Sequence, residues 1–412
     1  MPMLIDRPAD VDRLARWRDR DVIKVVTGVR RCGKSSLLAL FRDRLRAEGV
    51  RDEAIVTVNL EDPEQLARTP DHLSLYREVV ARLAPGATTY VFVDEVQEVD
   101  QFERAVDGLH LRADVDLYVT GSNAHLLSGE LATLLSGRYV EIGLLPLSFA
   151  EYVTARRPGL DDDPTLRQAL LGSLFADFVR FGAFPYVTRL QPDIDLVRDY
   201  LLGILNTVLL KDIVARRKIS RADTLRDVVA FMLDNVSNLT TPKKISDTLG
   251  STGRRVAPET IAGYLAGLTE SYVLYEARRY DIRGKRLLEN TAKYYAVDTG
   301  LRTALLGDRP RDIGYLLENV VYLELRRRFA EVYVGKLGPA EVDFIAEDPA
   351  DRSPVYLQVS HTVADPHVLA RELATLKAVP AHYPRLLLTA DPGTVDHDGI
   401  RQACVYDWLL QR

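Results

Sequence analysis

The chain has 412 residues, 47% hydrophobic and 27% charged, an ordinary globular composition with room for two to four domains. A net charge of -5 gives no overall basic excess for nucleic acid, so any such contact needs a local patch. Two cysteines, Cys32 and Cys404, exclude a disulfide framework and a cysteine-based zinc site; no apolar run reaches membrane-span length and the start lacks a signal peptide's basic segment and apolar core, so a cytoplasmic protein without membrane contact is expected.

In chain order, Ile23–Thr27 reads as a strand and Ser36 to Leu45 as a helix. Between them Gly28-Val-Arg-Arg-Cys-Gly-Lys-Ser35 fits G-x-x-x-x-G-K-[ST] at every fixed position. The glycines permit a loop whose N–H groups converge on an anion at a helix N-terminus. Lys34 reaches the β- and γ-phosphates as a point charge, and the Ser35 hydroxyl ligates Mg²⁺. The candidate nucleotide contacts are therefore Gly28, Val29, Arg30, Arg31, Cys32, Gly33, Lys34, Ser35 and Ser36.

Further strands are expected at Ala54–Leu60, Tyr90–Val93, Leu117–Thr120 and Tyr139–Leu144, alternating with helices as in an α/β sheet. Tyr90-Val-Phe-Val-Asp94-Glu95 ends a buried strand on two carboxylates. Asp94 suits the Mg²⁺ shell, and Glu95 suits a base that orients and deprotonates the attacking water. Ser122 or Asn123, after the next strand, could sense the γ-phosphate; a plain polar turn is the other reading. Asn59 is placed either to hold Glu95 in an inactive rotamer or simply to form a turn. Arg138, in Leu135-Ser-Gly-Arg138, is a candidate for stabilising transition-state charge, in its own subunit or a neighbour's, against a plain surface arginine.

These segments, with Thr27-Gly-Val-Arg-Arg-Cys-Gly-Lys-Ser-Ser-Leu, Phe92-Val-Asp-Glu-Val-Gln, Thr120-Gly-Ser-Asn, Pro146-Leu-Ser-Phe-Ala-Glu-Tyr and Phe181-Gly-Ala-Phe-Pro, resemble AAA-type ATPases of the ASCE P-loop division. More narrowly they resemble a bacterial and archaeal family of ATP-binding proteins that join an AAA domain to a PD-(D/E)xK-nuclease-like tail. The resemblance implies that the Thr120 strand lies between the phosphate-loop strand and the Asp94 strand. It also implies that Gly182-Ala-Phe-Pro185 is a lid motif near the adenine, with Gly182 and Pro185 as contacts. Relatives often read Gly-Gly-aromatic-Pro there, so Ala183 departs. ATP is expected over GTP because no Asn-Lys-x-Asp motif follows the sheet.

From Leu147 to about Ile219 the pattern is helical, interrupted by a turn-rich acidic loop, Pro158 to Pro164. Helices over Asp227–Ser237, Thr241–Leu249 and Ala257–Thr269 precede a hairpin of Val273–Arg279 and Lys293–Val297, which together resemble a winged helix. Lys243, Lys244, Arg254, Arg255, Arg283, Lys285 and Arg286 supply charge for DNA; a lid or packing module is the other reading.

The tail runs helix (Tyr315–Arg328, with Glu318), strand (Glu331–Gly335), strand (Glu341, Asp343), then Pro354–Ser360. It resembles the PD-(D/E)xK nuclease core, in which acids collect a metal and a lysine polarises water. Gln358 stands at the second acid and Ser360 at the lysine, so cleavage by the usual mechanism is not expected.

The expected architecture is a P-loop AAA-type α/β core (1–147), a helical lid (148–220), a winged-helix-like domain (221–300) and a nuclease-like α/β domain (301–412). The expected function is an ATP-hydrolysing machine or switch acting on DNA, with Mg²⁺ as cofactor and a homo-oligomer as one form. The alternatives are a signalling or scaffold ATPase that recruits a protein partner, and an ATP-controlled nuclease.

Overall fold

The computed structural model describes residues 4–124, 137–159, 164–217, 219, 221–251, 253–309 and 312–411. Leu135, Ser136 and most of the acidic loop after Pro158 lie outside the described residues. The chain divides into two units: Met1–Leu145 with Glu270–Tyr272, and Pro146–Thr269 with Val273–Arg412.

The first unit begins with α1 (Pro8–Arg16) and alternates thereafter: β1 (Ile23–Thr27), α2 (Lys34–Ala47), β2 (Ile55–Asn59), α3 (Pro63–Arg68), α4 (His72–Val80), β3 (Thr89–Asp94), α5 (Phe102–His110), β4 (Val115–Gly121) and β5 (Tyr139–Gly143). The strands form one parallel sheet in the order β2-β3-β4-β1-β5. The Thr120 strand thus lies between the phosphate-loop strand and the Asp94 strand. The three central strands, β3, β4 and β1, are buried on both faces, as suits such a sheet. On one face Val25, Val58, Val91 and Val119 pack with Leu75, Phe102 and Leu109. On the other, Phe41, Phe92 and Tyr118 form an aromatic cluster with centroids 4.9–6.3 Å apart. The buried Lys24 of β1 pairs with Asp116 of β4, which also accepts from the Tyr118 hydroxyl at 2.9 Å.

The second unit opens with α6 (Phe149–Arg156). Its start is a capping box: Ser148 Oγ accepts from the Glu151 amide (3.2 Å) and Glu151 from the Ser148 amide (2.8 Å), which explains the Leu-Ser-Phe-Ala-Glu segment. Next come α7 (Pro164–Phe181), α8 (Val187–Leu190) and α9 (Ile194–Thr207), extended by a π-helical stretch, Val208–Ala215. Then follow α10 (Ala222–Asp234), β6 (Leu239–Thr240), α11 (Pro242–Ser251), α12 (Pro258–Glu270), β7 (Leu274–Asp281) and β8 (Arg286–Ala296). The remainder is α13 (Thr299–Leu306), α14 (Ile313–Arg328), β9 (Glu331–Leu337), β10 (Ala340–Glu347), β11 (Pro354–Ser360), α15 (Pro366–Lys377), β12 (Arg385–Thr389), β13 (Thr394–Asp396), β14 (Arg401–Cys404) and α16 (Val405–Leu410).

The strands of this unit form a single mixed sheet, β13-β14-β12-β11-β10-β9-β7-β8-β6. The β7–β8 hairpin joins the tail strands through parallel pairing of β7 with β9, so the sheet runs across residue 300. Under it Tyr295 stacks on Tyr322 of α14, with centroids 4.0 Å apart, and both meet Phe344.

Candidate functional site

The phosphate loop leaves the carboxyl end of β1 and enters α2. Its backbone alternates into positive φ at Gly28 (147°), Arg31 (66°) and Gly33 (106°), a curvature that turns successive N–H groups to one side. A Cβ on Gly28 would sit 2.2 Å from the Leu144 carbonyl oxygen, so only glycine fits there. Gly33 caps α2 without a side-chain hydrogen bond, and no acidic residue occupies the first turn. The positive end of a 14-residue helix is therefore left for an external anion.

The loop is braced from behind. Arg7 is buried; it donates to the carbonyl oxygens of Cys32 (3.1 Å) and Leu145 (2.9 Å) and pairs with Asp10 at 3.2 Å. Cys32 is buried, with burial pushing its thiol up, and belongs to the packing of the loop. Val29 is buried, Arg30 lies near Glu61 and Glu98, Arg31 and Ser35 are exposed and Ser36 is half-buried.

Lys34 is buried. Its Nζ lies 3.1 Å from the Gly28 carbonyl oxygen, 3.5 Å from that of Val29 and 3.2 Å from Glu95 Oε1. Glu95 follows β3 in a left-handed conformation (φ 52°), a strained placement that aims its side chain at the loop. Burial alone would raise its carboxyl; Lys34, the Gln97 amide (2.5 Å) and Arg30 outweigh that and hold it below the usual carboxylate range. The buried Thr120 joins the two acids: its hydroxyl donates to Asp94 Oδ1 and accepts from the Glu95 amide at 2.9 Å. Ser122 and Asn123, at the end of β4, are buried, and Ser122 Oγ has no hydrogen-bond partner among the described residues.

The structure thus brings the Gly28–Ser36 loop, Asp94, Glu95 and the β4 end to the carboxyl edge of one sheet. It does not bring Arg138 there. Arg138 immediately precedes β5, and its carbonyl accepts from the amide of Ile23, the first residue of β1 (2.8 Å). Five strand residues, on the order of 16 Å, separate it from the phosphate loop, and its exposed guanidinium pairs with Asp107 at 2.9 Å. An own-subunit role at the phosphate is corrected by this placement. Asn59 holds no rotamer of Glu95; its Oδ1 accepts from the Glu61 amide at 3.1 Å, the turn-forming reading. Sequence reasoning missed Arg7, Gln97 and the bridging role of Thr120. Only Gln97 and Thr120 lay within segments already singled out.

In the second unit, Gly182 ends α7 with φ 78°. A Cβ there would fall 1.8 Å from Asp298 Oδ1. The Asp298 carboxylate is buried and accepts from the amides of Ala183 (2.6 Å) and Gly300 (2.8 Å). The Gly182–Pro185 turn is thereby clasped to the start of α13. The conformation at Gly182 is set by a carboxylate 115 residues away from Ala183.

The donor set fits magnesium and a triphosphate. A buried ammonium, a helix start without a side-chain cap, an exposed Ser35, a buried Asp94 and a Ser122 hydroxyl without a partner among the described residues all lie at the carboxyl edge of one sheet.

Residues 20–153 match a family model described as "AAA domain", and residues 172–312 one described as "Domain of unknown function (DUF8612)". An "Uncharacterized protein" of Haemophilus influenzae is 37% identical over 99% of each chain. An "Uncharacterized protein" of Methanocaldococcus jannaschii is 28% identical over 78% of this chain and 71% of its own. Among solved structures, a Walker-type ATPase of Pyrococcus abyssi aligns with a TM-score of 0.48 and 16% identity, covering 73% of this chain and 95% of that one. On its phosphate loop, parallel sheet and full-length similarity, the chain belongs to the family of the Haemophilus influenzae protein and carries an AAA-type P-loop ATPase domain.

Proposed function

We propose that the chain binds ATP with Mg²⁺ at the Gly28–Ser36 loop and hydrolyses it, with Lys34, Ser35, Asp94 and Glu95 as the acting groups. The observation that carries this reading is the Lys34–Glu95 contact of 3.2 Å beside an uncapped helix start. A triphosphate competes for the Lys34 ammonium, and its arrival releases the Glu95 carboxylate toward water. Gln97 is then the group that keeps Glu95 oriented. Magnesium, held by Ser35 and Asp94, supplies charge neutralisation on the β- and γ-oxygens when bound. Asn123 senses the γ-phosphate. Gly182 and Pro185 contribute to adenine contact as a lid motif, and any action of Arg138 is on the phosphate of a neighbouring subunit.

We further propose that turnover is coupled to DNA through α10–α12 and the β7–β8 hairpin, read as a winged helix. Lys243, Lys244, Arg255, Arg283, Lys285 and Arg286 are all exposed there, which supports the reading. Arg254 is committed to Asp227 and drops from that set. The tail is read as a nuclease-like core that no longer cleaves. A partner-recruiting ATPase is favoured by a different observation, the half-exposed Tyr186, Ile194 and Leu196 around α9.

The experiment is hydrolysis with and without single- and double-stranded DNA, for the native chain, Lys34→Ala and Glu95→Gln. Lys34→Ala is expected to lose nucleotide binding. Glu95→Gln is expected to bind ATP and turn over about 10²–10⁴-fold more slowly. Undiminished turnover in Glu95→Gln sinks the base assignment. Nucleotide-dependent oligomerisation with no DNA effect favours the partner-recruiting reading.

A further inference from the structure

We infer that the ammonium of Lys293 is the resident cation of the carboxylate cluster in the C-terminal sheet, standing where a nuclease-like core would seat a divalent metal. The inference uses the nuclease-like reading of the tail only for what the site would otherwise hold.

Lys293 lies on β8, Glu318 on α14, and Glu341 and Asp343 on β10. The lysine side chain is 5% exposed. Its Nζ is 2.9 Å from Glu318 Oε1, 2.8 Å from Glu341 Oε1 and 3.9 Å from Asp343 Oδ1. Three acids from two elements thus converge on one ammonium delivered from a third. The other donors are also protein groups. The Tyr295 hydroxyl donates to Glu318 Oε1 (2.8 Å) and the Val359 amide to Asp343 Oδ2 (2.8 Å); Arg279 lies 3.5 Å from Glu341 Oε2. A divalent ion asks for about six oxygens free to turn toward it, and here the lysine and these N–H and O–H groups already engage at least one oxygen of each acid. Among the described residues, no group of three acidic, histidine or cysteine side chains is arranged to hold a metal ion.

The departures at Gln358 and Ser360 now have a physical reason. Gln358 Oε1 accepts from the Asp343 amide at 3.3 Å, so the neutral side chain holds the strand and is not a ligand. A carboxylate at 358 would add a further negative group beside Asp343, which already feels the charges of Glu318 and Glu372, and a buried charge without a partner is costly. A lysine at 360 is not needed for charge balance, because Lys293 already supplies the cation from another strand. Burial, with repulsion from Glu318, keeps the Asp343 carboxyl well above its usual range, in keeping with a cluster still short of positive charge.

The test titrates Mn²⁺ into the full-length, nucleotide-free chain, reading bound ion by electron paramagnetic resonance and stability by thermal melting. The native chain is expected to bind no Mn²⁺ at this cluster, so Asp343→Asn leaves its titration unchanged. Lys293→Met is expected to bind one equivalent and to melt higher as Mn²⁺ is added, both effects vanishing in Lys293→Met with Asp343→Asn. Native binding that Asp343→Asn removes overturns the inference, as does a folded Lys293→Met that takes up no ion. If Lys293→Met does not fold, Lys293→Gln is read by the same criteria. If neither folds in metal-free buffer, recovery of a cooperative melt with Mn²⁺ supports the inference and failure to recover overturns it. ATP binding by the same proteins reports on the phosphate loop separately, so a failed nucleotide reading leaves a different signature.

Discussion

The hydroxyl of Thr120 serves two acids at once, donating to Asp94 and accepting the amide of Glu95. Valine has the same shape and neither function. In Thr120→Val the buried Glu95 amide loses its acceptor and Asp94 loses its donor, a destabilisation of about 1–3 kcal/mol in the first unit by urea unfolding. The expected kinetic sign is a raised Mg²⁺ requirement for turnover, with metal-free nucleotide affinity little changed; an unaltered Mg²⁺ dependence would remove Thr120 from the site. The meeting of the loop residues, Asp94 and Glu95 at one sheet edge was legible because local spacing and the end of a strand set it. Arg7 was not. Its partners lie 25 and 138 residues away, and nothing near position 7 marks a side chain destined to be buried against loop carbonyls. Gln97 was visible as a letter in a motif but not as the group holding Glu95, because that depends on the left-handed turn at Glu95.

Strands of the first unit were read to within two residues because each is a short valine-rich run between turn signals. Pairing was harder. The β7–β8 hairpin was expected, but its parallel seam with β9 depends on which edge of the hairpin remains free, and sequence periodicity carries no such information. For the same reason Lys293, an ordinary hairpin lysine in the sequence, gave no hint of its three carboxylates. The clasp between Gly182 and Asp298 belongs to this scale and makes a pH prediction. Burial lifts the Asp298 carboxyl to about 6 against backbone hydrogen bonds that lower it. The folded state therefore favours the protonated form. Asp298 contributes its stability fully below about pH 4, and that contribution is lost as pH rises through about 6. The change is on the order of 2–3 kcal/mol. Asp298→Asn, which cannot ionise, should unfold in urea with a shallower loss between pH 4 and 6 than the native chain. Parallel pH profiles for the two would show that Asp298 does not titrate in that window.

For the molecule as a whole, a net charge of -5 coexists with exposed cations on α11, on the loop before α12 and at the β7–β8 tip. DNA affinity carried by such residues must fall steeply with salt. Charge reversal at Lys243 and Arg283 is expected to weaken binding and flatten the log–log salt slope by about 0.9 for each DNA phosphate no longer neutralised. An unchanged slope would place DNA elsewhere or nowhere.

The buried Lys24–Asp116 pair has a consequence for how the nucleotide edge is assembled. The two residues lie on neighbouring strands, β1 and the central β4, with Lys24 opposite Tyr118 in register and Asp116 two positions earlier on the same face. Sliding β1 past β4 by one residue would turn the ammonium to the opposite face and leave both charges stranded in hydrocarbon. The pair therefore acts as an alignment key. It fixes the height at which the end of β1 and the turn after β4 emerge side by side, three residues downstream of Lys24 on one strand and at Ser122–Asn123 on the other, before any ligand arrives to draw them together.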